Sequence, residues 1–160
     1  ISRQDVDELG VSSTKIRIAL AEGDIHTASK YLGRPYSLSG LVVQGQQIGR
    51  SIGFPTANIQ VEDPYKLLPR DGAYAVFAEV NGLRYKAMLN IGDRPTVAGG
   101  QKTIEAHLID FQGDLYGQEL TIYFEAFLRE EKKFASLEAL KTQLVEDRER
   151  TIFSLQTELK

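Results

Sequence analysis

The chain has 160 residues, the length of one ordinary domain, and its 42% apolar and 26% charged content excludes whole-chain disorder. Nineteen Lys and Arg against 22 Asp and Glu leave a formal charge of −3, which speaks against a protein that grips nucleic acid with a broad basic face. With no cysteine and only two histidines, disulfides, thiolate metal sites, cysteine nucleophiles and a three-His zinc site are ruled out, and no apolar run reaches the roughly 20 residues of a membrane span.

Residues 1–36 differ in kind from the rest. The chain starts at Ile1 rather than Met, has no basic-then-apolar leader, and reads as a fragment of something longer. Ser12 and Ser13 can cap a short helix, Thr14 to Glu22, ended by Gly23. Asp24 caps a second, Ile25 to Leu32, ended by Gly33 with Arg34-Pro35 behind it. Two short helices with so few large apolar residues are not stable alone, so the segment is expected to be a helical connector that docks on a larger body or on an upstream domain.

From Ser37 to Arg129 the pattern is β. Leu38–Val43 and Gly72–Val80 are strand candidates. Asn81-Gly82 follows the second; this pair favours a two-residue hairpin because both central residues need positive φ. Arg84–Ile91 returns, and Lys102–Phe111 and Glu119–Phe127 alternate, joined by a loop carrying Gly113-Asp114 and Tyr116-Gly117. Five or six antiparallel strands without an intervening helix predict a small closed or nearly closed barrel, since closure removes sheet edges. After Phe134, Ser136 caps a long helix. Its apolar stripe is Leu137, Leu140, Leu144, Ile152, Leu155 and Leu159, with the charged run Glu146 to Arg150 on the solvent side.

Three segments have the composition of sites. In the first, Gly45, Gly49 and Gly53 recur around Arg50 and Ser51. Glycine lets backbone N–H groups approach an anion and Arg50 pairs with phosphate oxygens, although a plain turn between strands has the same spacing. Neither a Gly-Lys-Ser/Thr nor a G-x-G-x-x-G pattern is present. Phe54-Pro55-Thr56-Ala57-Asn58 follows. Pro55 fixes one φ, and in an extended segment Thr56 and Asn58 share a face; their neutral oxygens suit Mg²⁺ shared with nucleotide phosphates, or else cap a turn. The second segment, Asn90 to Val97 followed by Ala98-Gly99-Gly100, has the glycine and proline content of a binding loop, with Arg94 as a ligand contact or a salt-bridge partner. In the third, Ile104, Ala106 and Leu108 point one way on a strand while Glu105 and His107 point the other. Glu105 is either a solvent-facing strand residue or, if it meets a pocket, a general base for a hydroxyl. His107 and His26 are given no catalytic role.

These segments, in this order, resemble the riboflavin kinase family. The resemblance rests on Gly53-Phe-Pro-Thr-Ala-Asn58, Asp71-Gly-Ala-Tyr74, Asn90-Ile-Gly92 with Arg94-Pro-Thr96, and Ile104-Glu105-Ala-His107-Leu with Asp110-Phe111. Asp114-Leu-Tyr-Gly117 and Leu128-Arg129 through Lys133-Phe134 complete it. Val97 and Ala106 stand where an aromatic and a larger β-branched residue are common.

The resemblance implies a mainly β fold, a six-stranded antiparallel Greek-key barrel with the long C-terminal helix outside. Residues 37–160 are then the kinase domain, and 1–36 the connector from an upstream FMN adenylyltransferase domain in a longer chain. It implies transfer of the ATP γ-phosphoryl group to the 5′-hydroxyl of riboflavin, giving FMN and ADP, in the cytoplasm and without nucleic-acid or membrane partners. Gly45, Gly49, Arg50, Ser51, Gly53, Phe54, Pro55, Thr56 and Asn58 would hold ATP, with Thr56 and Asn58 also on Mg²⁺. Glu105 would be the general base. Asn90, Arg94, Glu105, Arg129 and Phe134 would line the flavin end. Two rivals are a flavin-binding barrel without kinase activity, which has no reason to keep Thr56-Ala57-Asn58 beside a glycine flap, and a nucleic-acid-binding barrel of the OB type, which the net charge disfavours.

Overall fold

The computed structural model describes residues 13–45, 48–96 and 99–157. Ile1, Ser12, Gln46-Gln47, Val97-Ala98 and Leu159, which enter the sequence reading, lie outside the described residues. The elements in chain order are helices α1 (Ser13–Glu22) and α2 (Ile25–Leu32), strand β1 (Ser37–Val43), a short 3₁₀ helix (Ile48–Ile52), strands β2 (Ala57–Val61), β3 (Gly72–Val80), β4 (Leu83–Thr96), β5 (Gly99–Leu108) and β6 (Glu119–Glu130), and helix α3 (Leu137–Thr157). The six strands close into an antiparallel Greek-key barrel in the order β1-β2-β5-β4-β3-β6, with β6 pairing back to β1.

Period-two alternation sorts the strands into two faces. Leu38, Val42, Ile59, Tyr74, Val76, Leu89, Ile91, Ile104, Leu108, Leu120, Ile122 and Phe124 are buried together inside the barrel. Tyr74 meets Phe124 edge-on with ring centroids 5.2 Å apart, the arrangement the ring quadrupoles favour. The β3–β4 hairpin turns on Asn81-Gly82, with φ 52° and 77°, as its sequence requires. The helices begin and end where their caps stand. Asp24 accepts from the Thr27 N–H, Gly33 closes α2 in the left-handed conformation, and Ser136 accepts from the Ala139 N–H at the start of α3.

α1 and α2 pack into the barrel core through Ile16, Ala19, Leu20, Ile25 and Ala28, and the Arg70 N–H donates to the Leu20 carbonyl. The docking that their sparse apolar content demanded is therefore met by the barrel itself.

Three expectations are corrected. The segment expected to be a binding loop, Asn90 to Thr96, is strand. β4 pairs with β5 through Gly92↔Thr103, Arg94↔Gln101 and Thr96↔Gly99, because a partner strand satisfies its backbone regardless of its glycine and proline content. The strand expected to reach Phe111 stops at Leu108, where the Ile109 N–H turns to the Lys86 carbonyl and Asp110 takes φ 60°. The glycine stretch between β1 and β2 carries a 3₁₀ turn over Ile48–Ile52, closed by the Phe54 N–H on the Gly49 carbonyl, which neither expectation for it excludes. Asp147, placed by its charged neighbours on the solvent side of α3, is 1% exposed, while Leu137 of the apolar stripe is exposed. The physical reason is Arg129, described below.

α3 lies on the outside of the barrel in two apolar patches. Leu155 joins Ala73, Ala75, Phe77 and Leu128 of β3 and β6. Leu144 and Ile152 pack with Ile52, Phe54, Met88 and Ile109. The helix thus ties the strand that ends the barrel to the turn that follows β1.

Candidate active site

Antiparallel register places the outward-facing candidate residues in one line. Asn58 of β2 stands opposite Glu105 of β5, Glu105 opposite Asn90 of β4, Asn90 opposite Ala73 of β3, and Ala73 opposite Arg129 of β6. Directly opposite residues share a face with Cβ atoms about 5 Å apart. Metal-type oxygens, a carboxylate, an amide and a guanidinium therefore follow one another across the outside of the barrel. Glu105 is half-buried between the inward Ile104 and Ala106, and the Thr56 hydroxyl lies 3.5 Å from its Oε1.

One side of this line opens into a cleft of about 670 Å³ whose walls include Gly45, Arg50, Thr56, Asn58, Leu115 and Tyr116. Asn58 is only 8% exposed, and its amide makes no hydrogen bond with another described residue. Asn58 stands on the wall of the cleft, where its amide can meet a bound group. Gly45 sits directly against it, and a Cβ at Gly45 would overlap the Asn58 amide. Arg50 and Ser51 are exposed, with Arg50 on the cleft wall. Gly49 closes on Phe54 in the 3₁₀ turn, and Gly53 leaves that turn at φ 86°. Phe54 is a packing anchor rather than a cleft residue, buried with Met88 and Ile109 and 5.2 Å from the His107 ring. His107 Nδ1 lies 2.7 Å from the Pro55 carbonyl; that oxygen only accepts, so Nδ1 carries the proton. His107 thereby fixes Pro55 directly before Thr56, a structural part.

Beyond Asn58 and Glu105 the β2–β5 ladder stops, and a second cavity of about 510 Å³ opens between the strands, with Asn58 again on its wall. Lys66 lines it, 4.8 Å from the Tyr36 ring centroid, and burial pushes its ammonium down to about 8.

At the other end of the line, Asn90 Nδ2 donates to Glu131 Oε2 at 3.1 Å, and Glu131 lies over Gly92, where a Cβ would overlap it. Arg94 is placed by its backbone in β4. Arg129 is half-buried and its guanidinium is taken up by Asp147 of α3, with its ring-facing side 5.7 Å from the Phe134 centroid. Sequence reasoning missed Asp147, Glu131 and the cleft wall formed by Leu115 and Tyr116. Only the Gly113-Asp114 and Tyr116-Gly117 pairs signalled the last.

Among the described residues no three or more His, Cys, Asp or Glu gather into a metal site. The neutral oxygens of Thr56 and Asn58 fit a hard divalent cation whose negative ligands are phosphates.

Two outcomes follow from this geometry. Gly45→Ala should lower Mg-ADP affinity roughly tenfold, measured by calorimetry, with the unfolding midpoint close to wild type; unchanged affinity would contradict the placement of Asn58. Burial, and secondarily Arg148, hold His107 below its usual value against the opposing Pro55 bond. A depressed imidazole contributes stability that is present above its unfolded pKa of about 6.5 and lost as pH falls through the folded value. Melting temperature should therefore drop on acidification from pH 7.5 towards 5, and His107→Gln should flatten that drop; an identical pH profile would contradict the assignment.

Comparisons with known proteins identify the family. The family model described as flavokinase, riboflavin kinase, matches residues 32–155. The chain is 47% identical over 144 residues to the bifunctional riboflavin kinase/FMN adenylyltransferase of Pseudomonas fluorescens, covering 89% of this chain and 46% of that protein. It is 44% identical over 140 residues to the protein of the same name from Escherichia coli K12, covering 86% and 44%. The chain thus spans about half the length of the curated relatives it matches. Among solved structures, a chain described as a macrolide-efflux protein from Streptococcus pneumoniae superposes with a TM-score of 0.83 at 38% identity, over 88% of this chain and 46% of that one. Riboflavin kinase from Trypanosoma brucei superposes with a TM-score of 0.51 at 27% identity, over 76% and 78%. With a family model matched along most of its length, this chain belongs to the riboflavin kinase family.

Proposed function

We propose that this chain transfers the γ-phosphoryl group of ATP to the 5′-hydroxyl of riboflavin, giving FMN and ADP. The observation that carries the reading is the register of Asn58 with Glu105, which sets a carboxylate one strand away from an amide on the nucleotide-sized cleft. Phosphoryl transfer asks for positioning and charge neutralisation rather than covalent work by the protein. Gly45, Gly49, Arg50, Ser51 and Gly53 lie over the phosphates, and Phe54 and Pro55 hold the turn that presents Thr56. Thr56 and Asn58 would hold Mg²⁺ together with the phosphates, and the ion would supply charge neutralisation at the transferring group.

Glu105 accepts the proton of the riboflavin hydroxyl as its oxygen bonds to the γ-phosphorus, and the bond to the ADP oxygen breaks. The carboxylate lies between Asn58 and Asn90 in the sheet, and this reading places the acceptor hydroxyl on its Asn90 side and the phosphates on its Asn58 side. Asn90, Arg94, Arg129 and Phe134 form the flavin end. In the longer protein an N-terminal FMN adenylyltransferase domain would receive the FMN, and the reaction belongs in the cytoplasm. No helix among the described residues is long and apolar enough to cross a membrane.

Glu105→Gln tests the reading. Turnover should fall by roughly 10² or more while the melting curve stays near wild type. Near-normal turnover would remove Glu105 from the role of base.

A further inference from the structure

The C-terminal helix carries a buried carboxylate that its neighbours in sequence do not explain. Asp147 lies in the charged run from Glu146 to Arg150, yet it is 1% exposed. It faces β6. Arg129 Nε donates to both of its carboxylate oxygens at 3.1 Å, and an Arg129 terminal nitrogen donates to Oδ2 at 2.8 Å. Gln143, one turn earlier on α3, donates to Oδ1 at 3.0 Å. The other terminal nitrogen of Arg129 donates to the Glu130 carbonyl at 3.1 Å. The guanidinium is thus held in plane by a carboxylate from the helix and a carbonyl from its own strand, with Phe134 beside it.

Stability alone is a weak reason for such a pair. A buried ion pair loses most of its Coulomb gain to desolvation, and an apolar pair of similar volume often does as well. What the arrangement does supply is orientation, because two parallel N–H bonds to one carboxylate leave the guanidinium a single plane. We infer that Asp147 is a positioning residue for the flavin end of the site, setting the plane of Arg129, and through it Phe134, against which the ring system of the acceptor packs. Gln143 holds the carboxylate that does so. This rests on the proposed function, in which Arg129 and Phe134 meet the flavin. It makes α3 part of the acceptor site rather than a cover over the barrel.

The test compares wild type, Arg129→Met, Asp147→Asn and Gln143→Ala. Riboflavin binding in the presence of Mg-ADP is read by flavin fluorescence, Mg-ADP binding by calorimetry, and folding by thermal melts. Arg129→Met and Asp147→Asn should each weaken riboflavin roughly tenfold, and Asp147→Asn should leave Mg-ADP within about twofold of wild type. Gln143→Ala, which strands no buried charge, should weaken riboflavin by a smaller factor in the same direction, and it keeps the test decisive if Asp147→Asn does not fold. Normal riboflavin binding by Asp147→Asn or, where that variant is unfolded, by Gln143→Ala, beside a defective Arg129→Met, would overturn the positioning role and leave the site intact. Equal losses for both ligands would mark a packing role and overturn it as well. Normal riboflavin binding by Arg129→Met would instead remove Arg129 from the flavin end, and the inference would fall with that reading.

Discussion

The structure depends on a short seam. β2 joins β5 through two residue pairs, Ala57↔Ala106 and Asn58↔Glu105, and that ladder closes the barrel. The side-chain period of a strand is two, so a slip of one residue would exchange the faces of β2. Ile59 would then leave the core and the Asn58 amide would enter it, at the cost of an unmet amide among aliphatic side chains. The apolar inward set fixes the register, and the register sets Asn58 against Glu105. Gly40 strengthens the same choice: a side chain there would overlap the Gln60 carbonyl, so β1 can approach β2 closely only with glycine at that position.

From that seam the chemistry spreads in both directions. Towards β1 lie Gly45 and the 3₁₀ turn, pinned by Phe54 in the apolar patch under α3 and by His107 on the Pro55 carbonyl. Towards β6 lie Asn90 with Glu131, then Arg129 with Asp147. The 3₁₀ turn is tied to the barrel wall by buried Phe54, and β6 to α3 by buried Asp147. A site that must align two substrates for an in-line displacement benefits from that rigidity, since positioning is most of what the protein contributes.

Legibility in the sequence followed the range of the interaction. The alternation Ile104, Glu105, Ala106, His107, Leu108 told which side chains face out, because it is set by neighbouring residues alone. Asn81-Gly82, Asp24, Gly33 and Ser136 marked turns and caps for the same reason. Asp147 could not be read this way. Its local composition is that of a solvated helix face, and its partner lies 18 residues earlier on a strand. Asn90 to Thr96 misled in the opposite sense: glycine and proline mark loops on average, but here the long hairpin with β5 supplies the missing partners. The motif-level resemblance named candidate site residues without showing that several of them share one line across the sheet, which only register reveals.

The central claim is that the two substrates meet along this line, with the phosphates at Asn58 and the acceptor hydroxyl at Glu105. A crystal structure with riboflavin, ADP and Mg²⁺ bound tests it most directly. The account expects the terminal ribityl oxygen within hydrogen-bond reach of the Glu105 carboxylate, and the ADP phosphates in the cleft beside Thr56 and Asn58. A ribityl terminus on the far side of the barrel, with Glu105 facing only solvent, would contradict it.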